Sequence, residues 1–234
     1  MTIYSEMTPY YHEIFPANPA FLDLVARYVA APARALDIGC GTGHYPALLS
    51  AAGYDVTAID PNAEMIAWAQ EHDPATDYRV LAMQEITILT PGFALLYSIG
   101  NVLAYLPPAQ RGDFLADVHR IAAPGASWIT QTVNWDALAG RERFDFPEIV
   151  LEDRQVRFTR RYERVGEDVV HFKTALYVAG ECRARDTHTL YPLLSDDALA
   201  LHRAQGFELI GHFSNFQREP YHQAAIGGNV MVFR

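Results

Sequence analysis

Cysteine is scarce: Cys40 and Cys182 are the two in 234 residues. Two are too few for a framework of disulfides or a four-cysteine zinc site, and they fit a reducing cytosol. Basic charge is also short, with 18 Lys and Arg against 28 Asp and Glu and a formal net charge of −10. Duplex recognition needs clustered basic residues to displace counterions, so this balance excludes a general nucleic-acid binder. Nine histidines are scattered without an H-x-x-x-H spacing or a carboxylate cluster, and no metal is expected. Met1 to Tyr11 carries Glu6 and no Lys or Arg, unlike the positive start of a secretory or transit peptide. Ile86 to Gln110 contains no charged residue, but Pro91-Gly92, Gly100-Asn101 and Pro107-Pro108 cut it into short pieces. A bilayer helix needs about 20 continuous apolar residues, so the run reads as a buried parallel strand followed by a loop. A soluble cytoplasmic protein with no membrane partner is expected.

What is present is a core. Half of the residues are hydrophobic and 12% aromatic, enough for one large domain, or one domain carrying an insertion. Asn18-Pro19 opens a helix whose Leu22, Val25, Ala26 and Val29 share one face. An apolar strand, Arg34 to Ile38, runs into Gly39-Cys40-Gly41-Thr42-Gly43, and a helix follows to Ala52. Strands are expected at Tyr54 to Ile59, Tyr78 to Ala82, Phe93 to Ser98 and Ser127 to Val133. Helices at Asn62 to Glu71 and Pro108 to Ala122 separate them. Strict strand–helix alternation specifies a doubly wound parallel sheet. From Arg141 to Thr187 the pattern changes to period-two runs such as Val156-x-Phe158 and Val170-x-Phe172-x-Thr174-x-Leu176-x-Val178. With turns at Gly166 and Gly180, this predicts an antiparallel hairpin or three-stranded flap. The main fold resumes with Ser195 capping a helix to Gln205, then strands at Phe207 to Ser214 and Asn229 to Phe233.

The chemistry concentrates at Leu36-Asp37-Ile38-Gly39-Cys40-Gly41-Thr42-Gly43, a glycine-rich turn between a first strand and a first helix. Such a turn lets a ligand approach the backbone and meet the helix N-terminus. Asp60, 17 positions beyond Gly43, closes the second strand, where a carboxylate accepts ribose hydroxyls. The dinucleotide spacing G-x-G-x-x-G would need glycine at His44 or Pro46, which excludes that fingerprint.

Leu36 to Gly43 resembles instead the first motif of the class I S-adenosylmethionine-dependent methyltransferases. The resemblance continues through Val56 to Met65, and through Ser98 to Leu106, which is similar to the fourth-strand motif of small-molecule N-methyltransferases. It covers residues 1–135 well, is looser from Ser195 to the end and weakest in the insertion. It implies a single methyltransferase domain over residues 1–234, with residues 141–187 as a β-rich flap. The implied fold is Rossmann-like, with seven strands, mostly parallel, the last antiparallel. The implied cofactor is S-adenosyl-L-methionine. Gly39, Cys40, Gly41 and Gly43 would lie along its methionine part, and Asp37 would anchor the loop or the ammonium group. Asp60 would hold the ribose, Asn62 and Met65 would flank the adenine, and Met83 and Gln84 would read its edge through their backbone. Ser98 belongs to the same cofactor site, and Tyr11, with Tyr4, would close over the methionine end. Ala82 departs from the family's Asp at that position, removing the carboxylate that usually accepts the adenine amino hydrogen.

A sulfonium methyl is already activated, so alignment and exclusion of water are the main tasks. A neutral amine attacks without a strong base, whereas an alcohol needs one. The expected function is methyl transfer to an amine nitrogen of a small molecule. The alternatives are an O-methyltransferase with His12 or Tyr105 as base, and a binding protein for the cofactor without turnover. Asn101, at the end of the fourth strand, is expected to orient the acceptor, with Tyr105 and His12 as further catalytic candidates. Asn134 and Trp135 would form the other rim of the pocket, because ligands bind beyond the carboxyl ends of strands in open α/β sheets. The flap holds 10 of the 18 basic and 10 of the 28 acidic residues, so the whole −10 resides outside it. Arginine forks suit carboxylates and phosphates. One or two of Arg154, Arg157, Arg160, Arg161, Arg164, Arg183 and Arg185 are expected to hold an anionic group of the acceptor, with Arg157 singled out among them.

Overall fold

The structure is a computed structural model and describes residues 3–164 and 169–234. The strands expected from the sequence assemble into one sheet whose central members are buried on both faces, while the edge strand at Asp77–Val80 is largely exposed. β1 (Arg34–Ile38) lies at its centre between β2 (Asp55–Asp60) and β4 (Phe93–Ser98), both parallel to it. β3 (Asp77–Val80) extends one side. β5 (Ala122–Val133), β12 (Gly228–Phe233) and β11 (Leu209–Phe213) extend the other. The order β11-β12-β5-β4-β1-β2-β3 is parallel except for β12, antiparallel to both β5 and β11. β4 explains the charge-free run: five of its six residues are buried, with Leu95, Leu96 and Tyr97 fully covered.

Three helices, α3 (Ala20–Tyr28), α4 (His44–Ala51) and α5 (Ala63–His72), cover one face through Phe21, Leu24, Leu49 and Ile66. α6 (Pro108–Ile121) and α8 (Ser195–Ala204) cover the other, and α6 buries the expected Phe114, Leu115, Val118 and Ile121. Among the described residues no helix is long and apolar enough to cross a membrane.

The insertion forms a second sheet rather than a hairpin. β8 (Val156–Arg164), β9 (Val170–Val178) and β10 (Glu181–Leu190) make its antiparallel body, with β6 (Arg143–Asp145) and β7 (Ile149–Leu151) both on β8. The two short strands escape a sequence reading because three residues are too few for a visible alternation. Ala179 and Gly180, both with positive φ, make the tight β9–β10 turn. The turn expected at Gly166 lies outside the described residues. One face of the sheet packs on α1 (Ile3–Met7) and α2 (Tyr11–Ile14) through Val156, Phe158 and Leu176. Tyr162, Val170 and Leu190 pack on α7 (Trp135–Leu138) and on Ala104, just beyond β4. The flap therefore roofs the carboxyl end of the main sheet.

One local expectation is corrected. Ser195 is the first residue of α8 and does not cap it. Its hydroxyl donates to Asp136 Oδ2 (2.6 Å), lies 2.7 Å from the Tyr221 hydroxyl, and accepts from Asn229 Nδ2 (3.0 Å). A tertiary network has taken the oxygen that a local cap would have used.

Candidate active site

The glycine-rich turn leaves β1 in the left-handed region at three points, Gly39, Gly41 and Gly43, with φ of +90°, +57° and +85°. Space forbids a side chain as well as φ. A Cβ on Gly39 would lie 2.6 Å from Val102, and one on Gly43 would lie 2.5 Å from the Tyr78 hydroxyl. That hydroxyl donates to the Gly43 carbonyl (3.1 Å) and sits 3.0 Å from Asp73 Oδ2. Gly39 and Cys40 both donate their N–H to the Ile59 carbonyl, at 2.8 and 3.0 Å, tying the turn to the end of β2. Asp60 completes the tie: Oδ2 accepts from Gly41 N–H (3.0 Å) and Oδ1 from Asn62 N–H (2.9 Å). Burial pushes the Asp60 carboxyl up, against these two bonds.

Asp37, on β1 just before the turn, is 1% exposed, and its Oδ1 has no partner. The Tyr97 hydroxyl lies beside it without completing a full hydrogen bond, and burial drives the carboxyl well above the usual range. A buried carboxylate oxygen left bare costs free energy unless a donor or cation meets it. Cys40 is buried and its thiol is driven up by burial, so it is no nucleophile.

Over the turn lie the N-terminal helices. Tyr11 presents its ring 3.4–3.5 Å from where a Cβ of Gly41 would stand, and it packs against Phe15 and His44. His12 Nε2 is 3.2 Å from the Thr42 carbonyl, which makes that nitrogen the donor. Burial, with His12 nearby, lowers His44 to about 4. Tyr4 and Tyr105 share a 2.6 Å hydrogen bond, and His188 packs beside both rings. Burial pushes both hydroxyls upward, so neither accepts a proton from an acceptor at neutral pH.

Several expected site residues have their polar atoms already engaged. Ser98 Oγ donates to the Ile38 carbonyl (2.9 Å), locking the ends of β4 and β1 together. Asn62 Oδ1 caps α5 by accepting from Glu64 and Met65 N–H, and the Met65 side chain is buried. Met83 is partly buried in the α6-side core, and Gln84 Nε2 donates to Gln110 (3.2 Å). Asn101, in the left-handed region at φ 67°, accepts from Val133 N–H (3.1 Å) and donates to the Tyr162 hydroxyl (3.3 Å). It ties β4, β5 and the flap together. Asn134 donates to the carbonyls of His222, Gln223 and Ala225 and accepts from Tyr221 (2.8 Å), while Trp135 is buried and stacked on Tyr162. Asn101 and Asn134 thus brace the rim with their polar atoms engaged, whereas the buried Trp135 Nε1 has no hydrogen-bond partner. Arg157 lies on the outer face of β8, over the Tyr177 ring at 4.0 Å and 3.2 Å from Glu148. Arg160 and Arg164 share the strand phase of Val156, Phe158 and Tyr162, and Arg160 is the one set between Phe158 and Tyr162. The sequence held its signal, an arginine in the apolar phase of Val156-x-Phe158-x-Arg160-x-Tyr162. The Tyr4–Tyr105 bond and the Tyr78 contact under Gly43 had none, since each joins residues far apart in the chain.

A cleft of about 160 Å³ opens at the root of the flap, lined by Trp135, Leu138, Tyr162 and Asp197 among others. It includes no residue of the glycine-rich turn, so the tight backbone geometry and the bare Asp37 oxygen define the candidate site instead.

Residues 35–125 match a family model described as a methyltransferase domain. A ubiquinone biosynthesis O-methyltransferase of Xanthomonas campestris pv. campestris (strain B100) is 34% identical over 125 residues, 50% of this chain and 50% of that protein. The chain thus spans about half the length of the curated relatives it matches. Among solved structures, an S-adenosylmethionine-dependent methyltransferase from Clostridium acetobutylicum ATCC 824 superposes with a TM-score of 0.83 at 12% identity, covering 99% of this chain and 98% of that one. An amino pentose methyltransferase from Micromonospora echinaspora, with S-adenosylmethionine bound, gives 0.75 at 17% identity over 96% and 94%. Residues 35–125 therefore match a methyltransferase domain, and the chain shares its fold with S-adenosylmethionine-dependent methyltransferases of known structure.

Proposed function

We propose that this protein is an enzyme that transfers a methyl group from S-adenosylmethionine to an amine nitrogen of a small molecule, in a reducing, cytosolic setting. When bound, the cofactor supplies a methyl group activated on a sulfonium. The Asp37 oxygen would hold its ammonium group, and Asp60, whose two oxygens each keep a free lone pair, would hold the ribose hydroxyls. The backbone of Gly39 to Gly43 would line the methionine part, where Cβ atoms would obstruct the close approach. Tyr11 over Gly41 would exclude water, and Met65 and the Met83–Gln84 backbone would flank the adenine.

The observation that carries the choice of nitrogen is the state of the nearby proton acceptors. Tyr105 is hydrogen-bonded to Tyr4 and held protonated by burial. An amine presents a lone pair when neutral and loses its proton after attack, so orientation suffices, whereas a hydroxyl must lose its proton as it attacks. A second reading, transfer to oxygen, is favoured by the curated relatives, which are O-methyltransferases. That reading needs His12 as base, through the Nδ1 left free when Nε2 donates to Thr42.

Incubation with methyl-labelled S-adenosylmethionine and pooled small-molecule amines and phenols decides between them. Labelled amines are expected, with Tyr105→Phe within about tenfold of the wild-type rate, because losing a general base costs roughly 10²–10⁴-fold. Labelled phenols alone, lost in His12→Ala, would overturn the nitrogen reading. Cofactor binding without any labelled product would mark a binding protein without turnover.

A further inference from the structure

The inward face of the flap carries a polar row between two apolar ones. Arg160 lies opposite Thr174, which lies opposite Asp186 in the next strand. Phe158, Leu176 and Ala184 form the row on one side, and Tyr162, Phe172 and His188 the row on the other. Arg160 differs from its neighbours in having no carboxylate. Arg161 pairs with Glu163 at 2.9 Å and Arg157 with Glu148 at 3.2 Å, but no salt bridge reaches Arg160 among the described residues. Its Nε is buried without a hydrogen-bond partner, and so is the Thr174 hydroxyl. Three aromatic rings enclose the guanidinium, Phe146 at 4.9 Å, Phe15 at 5.3 Å and Phe158 at 5.9 Å. Phe15 leads to the candidate site, since its ring packs on Tyr11, which covers Gly41.

Arg160 is half-buried with its Nε fully covered, and an arginine desolvated to that degree without a counter-charge carries a cost that ring contacts offset only in part. A residue kept in this state makes sense where a ligand supplies the missing charge. We propose that Arg160, with the Thr174 hydroxyl as a second donor, binds a carboxylate on the methyl acceptor, so that the substrate is a small amine carrying a carboxylate and an apolar body. The inference rests on the methyltransferase reading and specifies its acceptor. A single negative charge fits better than a phosphate dianion. One guanidinium supplies one positive charge, and Asp186 stands two strands away, roughly 10 Å at ordinary strand spacing. Asp186 is engaged locally, accepting from Thr187 N–H at 2.8 Å and lying 3.4 Å from His188 Nε2, so it does not neutralise Arg160. The fork geometry of arginine meets a planar carboxylate with two parallel donors, and the aromatic walls take the apolar part.

The test uses benzoate and its neutral isostere benzamide as probes, added to the full chain with and without S-adenosylhomocysteine and read by thermal shift at constant ionic strength. Benzoate is expected to stabilise the wild type more than benzamide does. In Arg160→Met the benzoate affinity should fall roughly ten- to hundredfold, the range for lost charge-assisted hydrogen bonds, with the S-adenosylhomocysteine shift retained. Arg160→Lys serves should the Met variant not fold. It keeps the charge without the fork, and a weakened but persistent preference for benzoate is expected. Equal responses to benzoate and benzamide in the wild type, or a preference that survives unchanged in Arg160→Met, would overturn the proposal. Stabilisation by inorganic phosphate in place of benzoate would overturn the carboxylate assignment. A wild type that ignores S-adenosylhomocysteine yet selects benzoate through Arg160 would sink the methyltransferase reading and leave the anion site standing.

Discussion

Asp37→Asn separates a carboxylate kept for a ligand from one kept for the fold. The side chain is 1% exposed, one oxygen has no partner, and its pKa is driven up chiefly by burial. Asparagine keeps the shape and removes the charge. Burial penalises an ionised carboxyl and spares a neutral amide, and for a chain of this length each kcal/mol moves Tm by roughly 2–4 °C. The cofactor-free variant is therefore expected to melt several degrees above wild type. Binding should move the other way. A charged hydrogen bond to an ammonium contributes about 1.5–3 kcal/mol, so affinity for S-adenosylhomocysteine should fall roughly ten- to 150-fold. The pH dependence carries the same signature. Burial raises both Asp37 and Asp60, so between the ordinary carboxylate range and their folded values the folded chain holds protons that the unfolded chain has released. Stability without cofactor accordingly falls as pH rises through that window. An ammonium beside Asp37 favours the carboxylate, so binding there releases a proton and tightens with rising pH. Asp37→Asn should lose this share of the slope and keep that of Asp60. Thermal melts across pH, and calorimetric titration in two buffers of different ionisation enthalpy, measure both effects. A variant that is less stable without cofactor and binds it as wild type does would refute the reasoning, making Asp37 a structural residue.

Two further substitutions probe the frame of the site. Gly43→Ala places a Cβ 2.5 Å from the Tyr78 hydroxyl at φ +85°, whereas Gly125→Ala at φ +75° meets nothing within 4 Å. Left-handed strain costs both about 1–2 kcal/mol, and overcrowding adds about 1–3 kcal/mol at Gly43 alone. Urea denaturation should separate the two by that margin, and equal losses would show that Tyr78 yields freely. Asn134→Ala removes three donated bonds and one accepted bond from a side chain that is 1% exposed. A loss of about 2–4 kcal/mol is expected, with affinity for S-adenosylhomocysteine unchanged. A large loss of affinity at wild-type stability would mean that Asn134 touches the ligand.

The local chemistry of the chain determined its sheet and its glycine-rich turn. Alternating strands and helices, the closing glycines and a charge-free fourth strand are properties of neighbouring residues, and hydrophobic period reports them directly. The turn at Gly39 to Gly43 was legible for the same reason, since its function depends on backbone conformation that the residue types themselves permit. What only the tertiary structure decided is which polar groups remain available. Asn101 and Asn134 read as ligand-facing residues in sequence and Ser195 as a helix cap, yet each is bonded to residues dozens of positions away. The flap shows the same division. Its alternating pattern predicted strands, but the pairing of short β6 and β7 with β8 came from long-range contacts. Its many arginines look equivalent along the chain. Strand phase turns Arg157 outward to Glu148 and Arg160 inward to three rings with no carboxylate partner among the described residues, because successive side chains point to opposite faces of a sheet. Residue type is written in the sequence, but satisfaction is a property of what lies across the fold.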